Sequence, residues 1–485
     1  MTLQVEHPKW ILYRHTSDFT LLCEVAQILK SYSKTNITKA EKERLNLRLR
    51  ELGLYNERNP QLPLDAINHK INQLSYYMFG YQAKIDGVDR FMFSPLGNLL
   101  LKNLNDKEKL AKIFLTMLWA MQYRHPHGGT DKEFQLYPFR LIYKLLSDAR
   151  LENKLYAFEV AYSVVFIKNV TVDIYENLVN QLLGLRKLSN NDLAVKFQED
   201  RHAYVNSAYE WDYYVSRLFQ SAGVLEKRNG ELICKLQHGN TATFRKVTRN
   251  VVSIPKNLVS LVNELEQQYS YLDKPLFLND TERLQIDIIK EIYSFYPDIL
   301  LSAIGESKEM SKLLELPKLI EQYSNNPENE TAYLFENILV DGFNMFYNVE
   351  AKGIGGAGHT DIECLYLTKK KKFAVEAKST ANKLLGISIG RLREHREEIG
   401  GEYTIVVTPR YVPATKRDII GTPIVIILAS TFAEYLYNCI DHNVREIDYE
   451  DFDNIIVNNL GNDISRSIST LTISKFAVGG NNDNY

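Results

Sequence analysis

Cysteine is scarce in this chain. Only Cys23, Cys234, Cys364 and Cys439 occur, and no two of them form a CxxC pair. That disfavours a zinc module and a disulfide framework, and it suits a reducing cytosol. No apolar run approaches the roughly 18 residues of a membrane-spanning helix, so no membrane partner is expected. The N-terminal MTLQVEHPKWILYRH carries too short an apolar run for a secretory signal. Neither sign of charge dominates: 58 Lys and Arg face 60 Asp and Glu, a formal net charge of −2. Without a global basic field, any nucleic-acid site must be local. A repeat of fixed period and a low-complexity tract are also missing.

What is present is ordinary globular material, 485 residues with 45% hydrophobic and 24% charged side chains. That length allows two to four domains. Residues 40–52 and 63–78 read as helices, the second begun by Pro63 and ended by Gly80. A short strand at 90–93 follows, and then Ser94-Pro95, a good N-cap before a good first helical residue. Helix, strand and helix in that order suit a winged-helix-like module near 60–105. A second such module is expected near 205–250. There a helix over 209–221 stops at Gly223, and VLEKRNGELICKL places alternating runs on both sides of Asn229-Gly230, a strong hairpin signal. Behind it, Arg245, Lys246 and Arg249 are candidate contacts to nucleic-acid phosphates; a solvated basic edge is the plainer alternative.

The stretch 125–200 reads as helical, and HPHGG at 125–129 reads as a surface loop, since no third metal ligand stands nearby. Helices are expected at 258–265, 281–294 and 308–322, with SNNPENE at 324–330 as a linker. The texture then turns from helix-rich to alternating helix and strand. The resulting division is a recognition region 1–255, a helical linker region 256–322 and a C-terminal domain 323–485.

The chemistry concentrates in that last part. In EAKGIGGAGHTDIEC, residues 350–364, Gly353, Gly355 and Gly358 match GxGxxG. A phosphate-binding loop needs a helix after it, whereas DIECLYL alternates like a strand, and His359 stands where a phosphate-loop lysine would. No nucleotide cofactor is therefore expected, and the glycines lead to a strand that begins at Asp361. That strand turns at TKKKK and returns as FAVEAKS, 373–379. Residues i and i+2 share a strand face, so Glu376 and Lys378 point one way and Val375 and Ala377 the other. A hairpin can set Asp361 beside Glu376. Two carboxylates at that spacing repel unless a divalent cation lies between them, and oxygen-only ligation suits Mg²⁺. A neighbouring Lys378 can orient or deprotonate a water, which makes a metal-assisted site for phosphodiester hydrolysis. Upstream, a helix begun by Asn326-Pro327 and ended by Gly342 carries Glu336 on a largely apolar side, where a carboxylate needs a partner. Glu363 shares the face of Asp361. A salt-bridged hairpin edge is the alternative.

Helical Glu, glycine-rich turn, Asp strand and Glu-x-Lys strand, in that order, form the PD-(D/E)xK nuclease pattern, with Thr360 where proline often stands. With FMFSPLGNLLL, EWDYYVSRLFQSAGVLEKRNGELICKL, AYLFENIL and GHTDIECLYL…FAVEAKST, the chain resembles the AlwI group of type IIS restriction and site-specific nicking endonucleases, which carry a FokI-like cleavage domain. The resemblance spans most of 60–440. It implies a multidomain protein: a mainly α N-terminal part with winged-helix-like DNA-binding modules, then an α/β/α nuclease domain with a mixed central sheet. It further implies a prokaryotic cytoplasmic enzyme that binds a short asymmetric double-stranded DNA site and cuts at a fixed distance. By the same resemblance Asp361, Glu376 and the Ala377 carbonyl hold Mg²⁺, Lys378 positions water, and Glu336 supports metal or water. His395 falls near a histidine that assists catalysis in relatives. One site cuts one strand, so double-strand cleavage implies a transient homodimer or a small second subunit. The competing readings are a nicking enzyme or large subunit, a DNA-binding regulator with an inert nuclease-like domain, and a repair nuclease without sequence specificity.

Overall fold

Ser94 shows how local chemistry starts a helix here. Its Oγ accepts from the Gly97 N–H at 2.9 Å and donates to the Met78 carbonyl at 2.6 Å, with Pro95 opening the helix Pro95–Lys102. The preceding helix, Pro63–Tyr76, ends before Gly80 is reached, and the left-handed residue is Met78. Gly80 instead opens a strand, Gly80–Ile85, paired with Val88–Phe93. A Cβ on Gly80 would lie 2.1 Å from the Met92 carbonyl oxygen, so close backbone approach, and not helix termination, explains the glycine.

The computed structural model describes residues 8–477, except 11, 14–15, 32–36, 38, 55–62, 86–87, 128–132, 240, 281–284, 306–307, 355–358, 443 and 445. The chain divides into two compact units. The first comprises Met1–Gln82, Phe91–Leu278 and Phe295–Gly305; the second comprises Ala83–Arg90, Asn279–Ser294 and Glu306–Tyr485. Among the described residues no helix is long and apolar enough to cross a membrane.

The first unit is mainly helical and closes around aromatic side chains. Phe219 meets Phe114, Phe139 and Tyr77 at ring separations of 5.9, 5.1 and 6.3 Å. Trp119 and Trp211 are fully buried. Arg201–Tyr209, a π-helical segment Glu210–Val215 and Ser216–Ser221 form one continuous helical run. Gly223 ends it with φ of 74°.

The Asn229-Gly230 hairpin does not form. Glu226–Arg228 pairs with Val251–Ser253, while Leu232–Gln237 pairs with Phe244–Thr248. Gly230 has no left-handed backbone; it passes so close to Arg249 that a Cβ would sit 2.1 Å from that carbonyl oxygen. The dipeptide marks a crossing between two sheets, and tertiary pairing overrides its turn preference.

In the second unit five strands form a mixed sheet: β1 Val349–Gly353, β2 Ile362–Tyr366, β3 Lys371–Ala377, β4 Thr404–Thr408 and β5 Ile424–Leu428. Their spatial order is β5-β4-β3-β2-β1, antiparallel through β1, β2 and β3, and parallel from β3 to β5. Every residue of β4 and β5 is buried, as apolar runs covered on both faces require. On one face helix α1, Ala332–Phe343, puts Phe343 against Phe373 at 6.0 Å and against Phe432 of helix α2, Ala429–Asp441, at 4.8 Å. On the other, Leu392 of helix α3, Ile389–Glu398, packs with Val406, Ile424 and Ile426. Glu376 pairs with Val406, and Val406 with Ile426, so Glu376 faces α3.

Two helix boundaries differ from expectation. α1 begins at Ala332, not at Pro327, because Asn326 turns left-handed (φ 36°) and its Oδ1 accepts from the Thr331 N–H at 2.8 Å. Glu328 and Glu330 thus precede the helix. Gly342 lies inside α1, where a Cβ would sit 3.0 Å from the Phe432 ring; it gives room for packing. The segment 324–330 is tied to the loop after β3: Thr380 N–H donates to Ser324 O at 2.9 Å, and Asn326 Nδ2 donates to Ser379 Oγ at 3.1 Å.

Candidate active site

The antiparallel register carries Val375 opposite Ile362, which brings Asp361 beside Glu376 one step beyond. The Ala377 N–H donates to Asp361 Oδ2 at 2.8 Å and fixes that carboxylate at the end of β3. Thr360 is buried, and its Oγ donates to Val375 O at 3.2 Å, holding the strand entry.

Glu376 is fully buried. Its Oε1 receives Lys378 Nζ at 2.5 Å and Arg391 Nη2 at 3.4 Å. Its Oε2 has no hydrogen-bond partner. His395, on α3 and also buried, brings an equally unbonded Nδ1 to 3.8 Å from that oxygen. Burial, first, and the charge of Glu376, second, push the Asp361 carboxyl up to about 6, with Lys378 and the Ala377 N–H pulling the other way. Burial also raises Glu336, opposed by Lys378 and reinforced by Glu376, so Glu336 lies within electrostatic reach of the same group.

Asp361, Glu376, Lys378 and, through its field, Glu336 therefore come together. Glu363 does not join them, because Lys372 takes its carboxylate at 2.6 Å. His359 turns to Glu398 at 2.8 Å. The turn lysines Lys369 and Lys371 are matched with Asp453 at 2.7 Å and Glu402 at 2.8 Å. Gly355 and Gly358 lie outside the described residues, and strand β2, not a helix, follows that loop. Among the described residues no group of three or more His, Cys, Asp or Glu is arranged around a metal position. The metal expectation thus concerns two carboxylates and a backbone carbonyl. An all-oxygen donor set around a buried, unbonded carboxylate oxygen fits a hard cation such as Mg²⁺.

Of the basic residues in the first unit, Arg249 is committed internally, to Asn190 Oδ1 at 2.6 Å and Leu188 O at 2.8 Å. Arg245 lies over the Tyr209 ring at 3.5 Å, and Lys246 is exposed. His125 and His127 are joined to each other, His127 N–H donating to His125 Nδ1 at 2.9 Å, and His125 is buried, not on a loop surface.

Sequence reasoning overlooked Asn326, Ser379 and Ser324, which tie the start of α1 to the strand end that carries Glu376 and Lys378. An asparagine before proline was their only local trace.

Residues 5–269 match the family described as type II restriction endonuclease HgaI, N-terminal domain. The type II restriction enzyme HgaI of Avibacterium volantium is 48% identical over 476 residues, 96% of this chain and 97% of that protein. Among solved structures, restriction endonuclease FokI is similar at a TM-score of 0.29 and 9% identity, over 94% of this chain and 99% of that one. FokI bound to DNA gives a TM-score of 0.26.

Proposed function

The chain belongs to the HgaI family of type II restriction endonucleases, and from that premise we propose that it is a type IIS enzyme whose cleavage centre is the Asp361–Glu376–Lys378 cluster. It binds a short asymmetric site in double-stranded DNA and hydrolyses phosphodiester bonds at a fixed distance from it. The observation that carries the catalytic assignment is the Asp361–Glu376 pair, closed by the Ala377 N–H and left with one buried carboxylate oxygen unbonded. The order of these elements supports a PD-(D/E)xK cleavage domain, and the kinship in motif order with the AlwI group is part of the same proposal.

Asp361, Glu376 and the Ala377 carbonyl would hold Mg²⁺. When bound, such a cation polarises a phosphoryl oxygen and lowers the pKa of water. The protein's own groups do the rest. Lys378 and Arg391 keep positive charge at Glu376 Oε1, and Lys378, about one third exposed, can also reach a water or a phosphate oxygen. The Ala377 N–H orients Asp361, so its carboxylate need not reorganise when substrate arrives. Glu336 lies where it can accept a proton or hold a water. One such centre cuts one strand, so cleavage of both requires a second copy or a second subunit.

The test is plasmid DNA with protein and Mg²⁺, Glu376→Ala in parallel, and run-off sequencing of both strands. Discrete ends at a fixed distance from one motif are expected from the wild type and none from the variant. Open circles with one interrupted strand would make the chain a nickase or a large subunit. Specific binding without any cutting would overturn the enzyme reading in favour of a regulator.

A further inference from the structure

Most described arginines of the first unit end on an oxygen supplied by the protein itself. Arg140 meets Asp273, Arg150 meets Asp148 and Glu176, Arg186 meets Glu159, and Arg249 meets Asn190 and a carbonyl. Arg217, Arg228 and Arg245 do not, and of these Arg217 and Arg245 rest on aromatic rings. Arg217 lies 4.3 Å from the Tyr213 ring, Tyr213 stacks on Tyr209 at 5.1 Å and 18°, and Arg245 lies 3.5 Å from the Tyr209 ring. Among the described residues neither guanidinium has a carboxylate or carbonyl acceptor. A guanidinium that rests its flat face on an aromatic ring is fixed in position yet keeps its in-plane N–H donors for an oxyanion. The row runs along the π-helical segment Glu210–Val215, a rare backbone form that recurs at functional sites. Tyr213 and Arg217 are exposed.

A second observation comes from the β-ribbon Leu232–Gln237 and Phe244–Thr248. Lys235 stands directly opposite Lys246 across the pair, and both are exposed with no carboxylate partner among the described residues. Like charges placed opposite each other destabilise a strand pair unless an anion bridges them. Strand alternation puts Lys246 and its partner Lys235 on the ribbon face opposite Arg245, so in a chain of net charge −2 these are two separate clusters of unpaired positive charge.

We propose that Arg217 and Arg245, seated on Tyr213 and Tyr209, grip the phosphate backbone of duplex DNA independently of base sequence, and that Lys235 and Lys246, on the opposite face of the ribbon, make a second, separate contact of the same kind. It rests on the endonuclease reading above and adds where the recognition unit holds its substrate. Arg249, tied into the fold, is no part of it.

The full-length protein is titrated with a fluorescein-labelled duplex of arbitrary sequence, in EDTA so that no strand is cut, across about 50 to 200 mM salt. The wild type is expected to bind with an affinity that falls linearly on a log–log salt plot. Arg217→Gln, Arg245→Gln, Lys235→Gln and Lys246→Gln should each weaken binding about tenfold at low salt and reduce that slope by about 0.9. Arg150→Gln, an exposed arginine already matched with carboxylates, should change neither. Arg217, Lys235 and Lys246 project from exposed positions, so their variants fold even if Arg245→Gln does not. Wild-type binding with unchanged affinity and slope in those three variants would overturn the grip and leave the nuclease reading standing. Absence of duplex binding by the wild type at low salt would overturn the grip, while plasmid cleavage in Mg²⁺ decides the nuclease reading separately.

Discussion

The Ala377 amide and Asp361 Oδ2, 2.8 Å apart, join the two strand ends that make the candidate cleavage centre. The bond links a residue just ahead of β2 to the last residue of β3. It sets an acidic group beside a second, fully buried carboxylate, a strained arrangement in the absence of a cation.

That strain has a measurable sign. Asp361 is raised from 3.8 to about 6, so its favourable term is complete below the unfolded value and lost as pH rises through the folded one. Asp361→Asn should therefore stabilise the metal-free protein above pH 6, by about 1–3 kcal/mol, while abolishing cleavage. Melting curves in EDTA across pH, with plasmid assays beside them, decide it. A variant less stable than the wild type at neutral pH would contradict the geometry.

Lys378→Ala should lower the cleavage rate by about 10²–10⁴-fold, the range of a positioned proton-transfer or charge-stabilising group. DNA affinity should stay within about twofold of the wild type, since the lysine is placed to act on the reacting phosphate. Single-turnover cleavage and binding titrations separate the two. A loss confined to binding would move Lys378 from the chemistry to substrate capture.

Asn326 ties two parts of the centre together, its Oδ1 on Thr331 N–H and its Nδ2 on Ser379 Oγ. Asn326→Ala leaves the half-buried Thr331 amide and Ser379 hydroxyl without this partner, a cost of about 0.5–1.5 kcal/mol for each bond lost. Ser379→Ala removes only the strand side of the bridge. It is expected to lower the cleavage rate with little change in urea unfolding, and full activity in Ser379→Ala would show that the bridge serves folding alone.

His125 supplies a pH test of the first unit. Burial and the neighbouring His127 lower it to about 3, so the fold holds it neutral. Its contribution is present above the unfolded value near 6.5 and is lost as pH falls below that. From about pH 7 to pH 4 this costs about 3 kcal/mol. His125→Gln should flatten that acid limb in thermal melts of the full chain, and an unchanged acid limb would count against a neutral buried imidazole.

The strand pair around Asp361 and Glu376 was legible because side-chain alternation is a local property: i and i+2 share a face whatever surrounds them. So were the apolar runs of β4 and β5 and the Ser94-Pro95 helix start. Other local signals were outvoted. Asn229-Gly230 favours a hairpin, yet Glu226–Arg228 gains more by pairing with Val251–Ser253. Gly80 and Gly342 looked like helix stops, and both are places where another group comes too near for a Cβ.

By itself, then, the amino-acid order determined which residue types share a strand face and which carboxylates a hairpin can bring together, since both follow from backbone periodicity. Only the tertiary structure decided which charges remain available for a ligand. Lys372 takes Glu363, and Asn190 and the Leu188 carbonyl take Arg249. Tyr213 and Tyr209 instead hold Arg217 and Arg245 without neutralising them. A charge is neutralised by whatever lies within a few ångströms, and sequence separation carries no information about that distance.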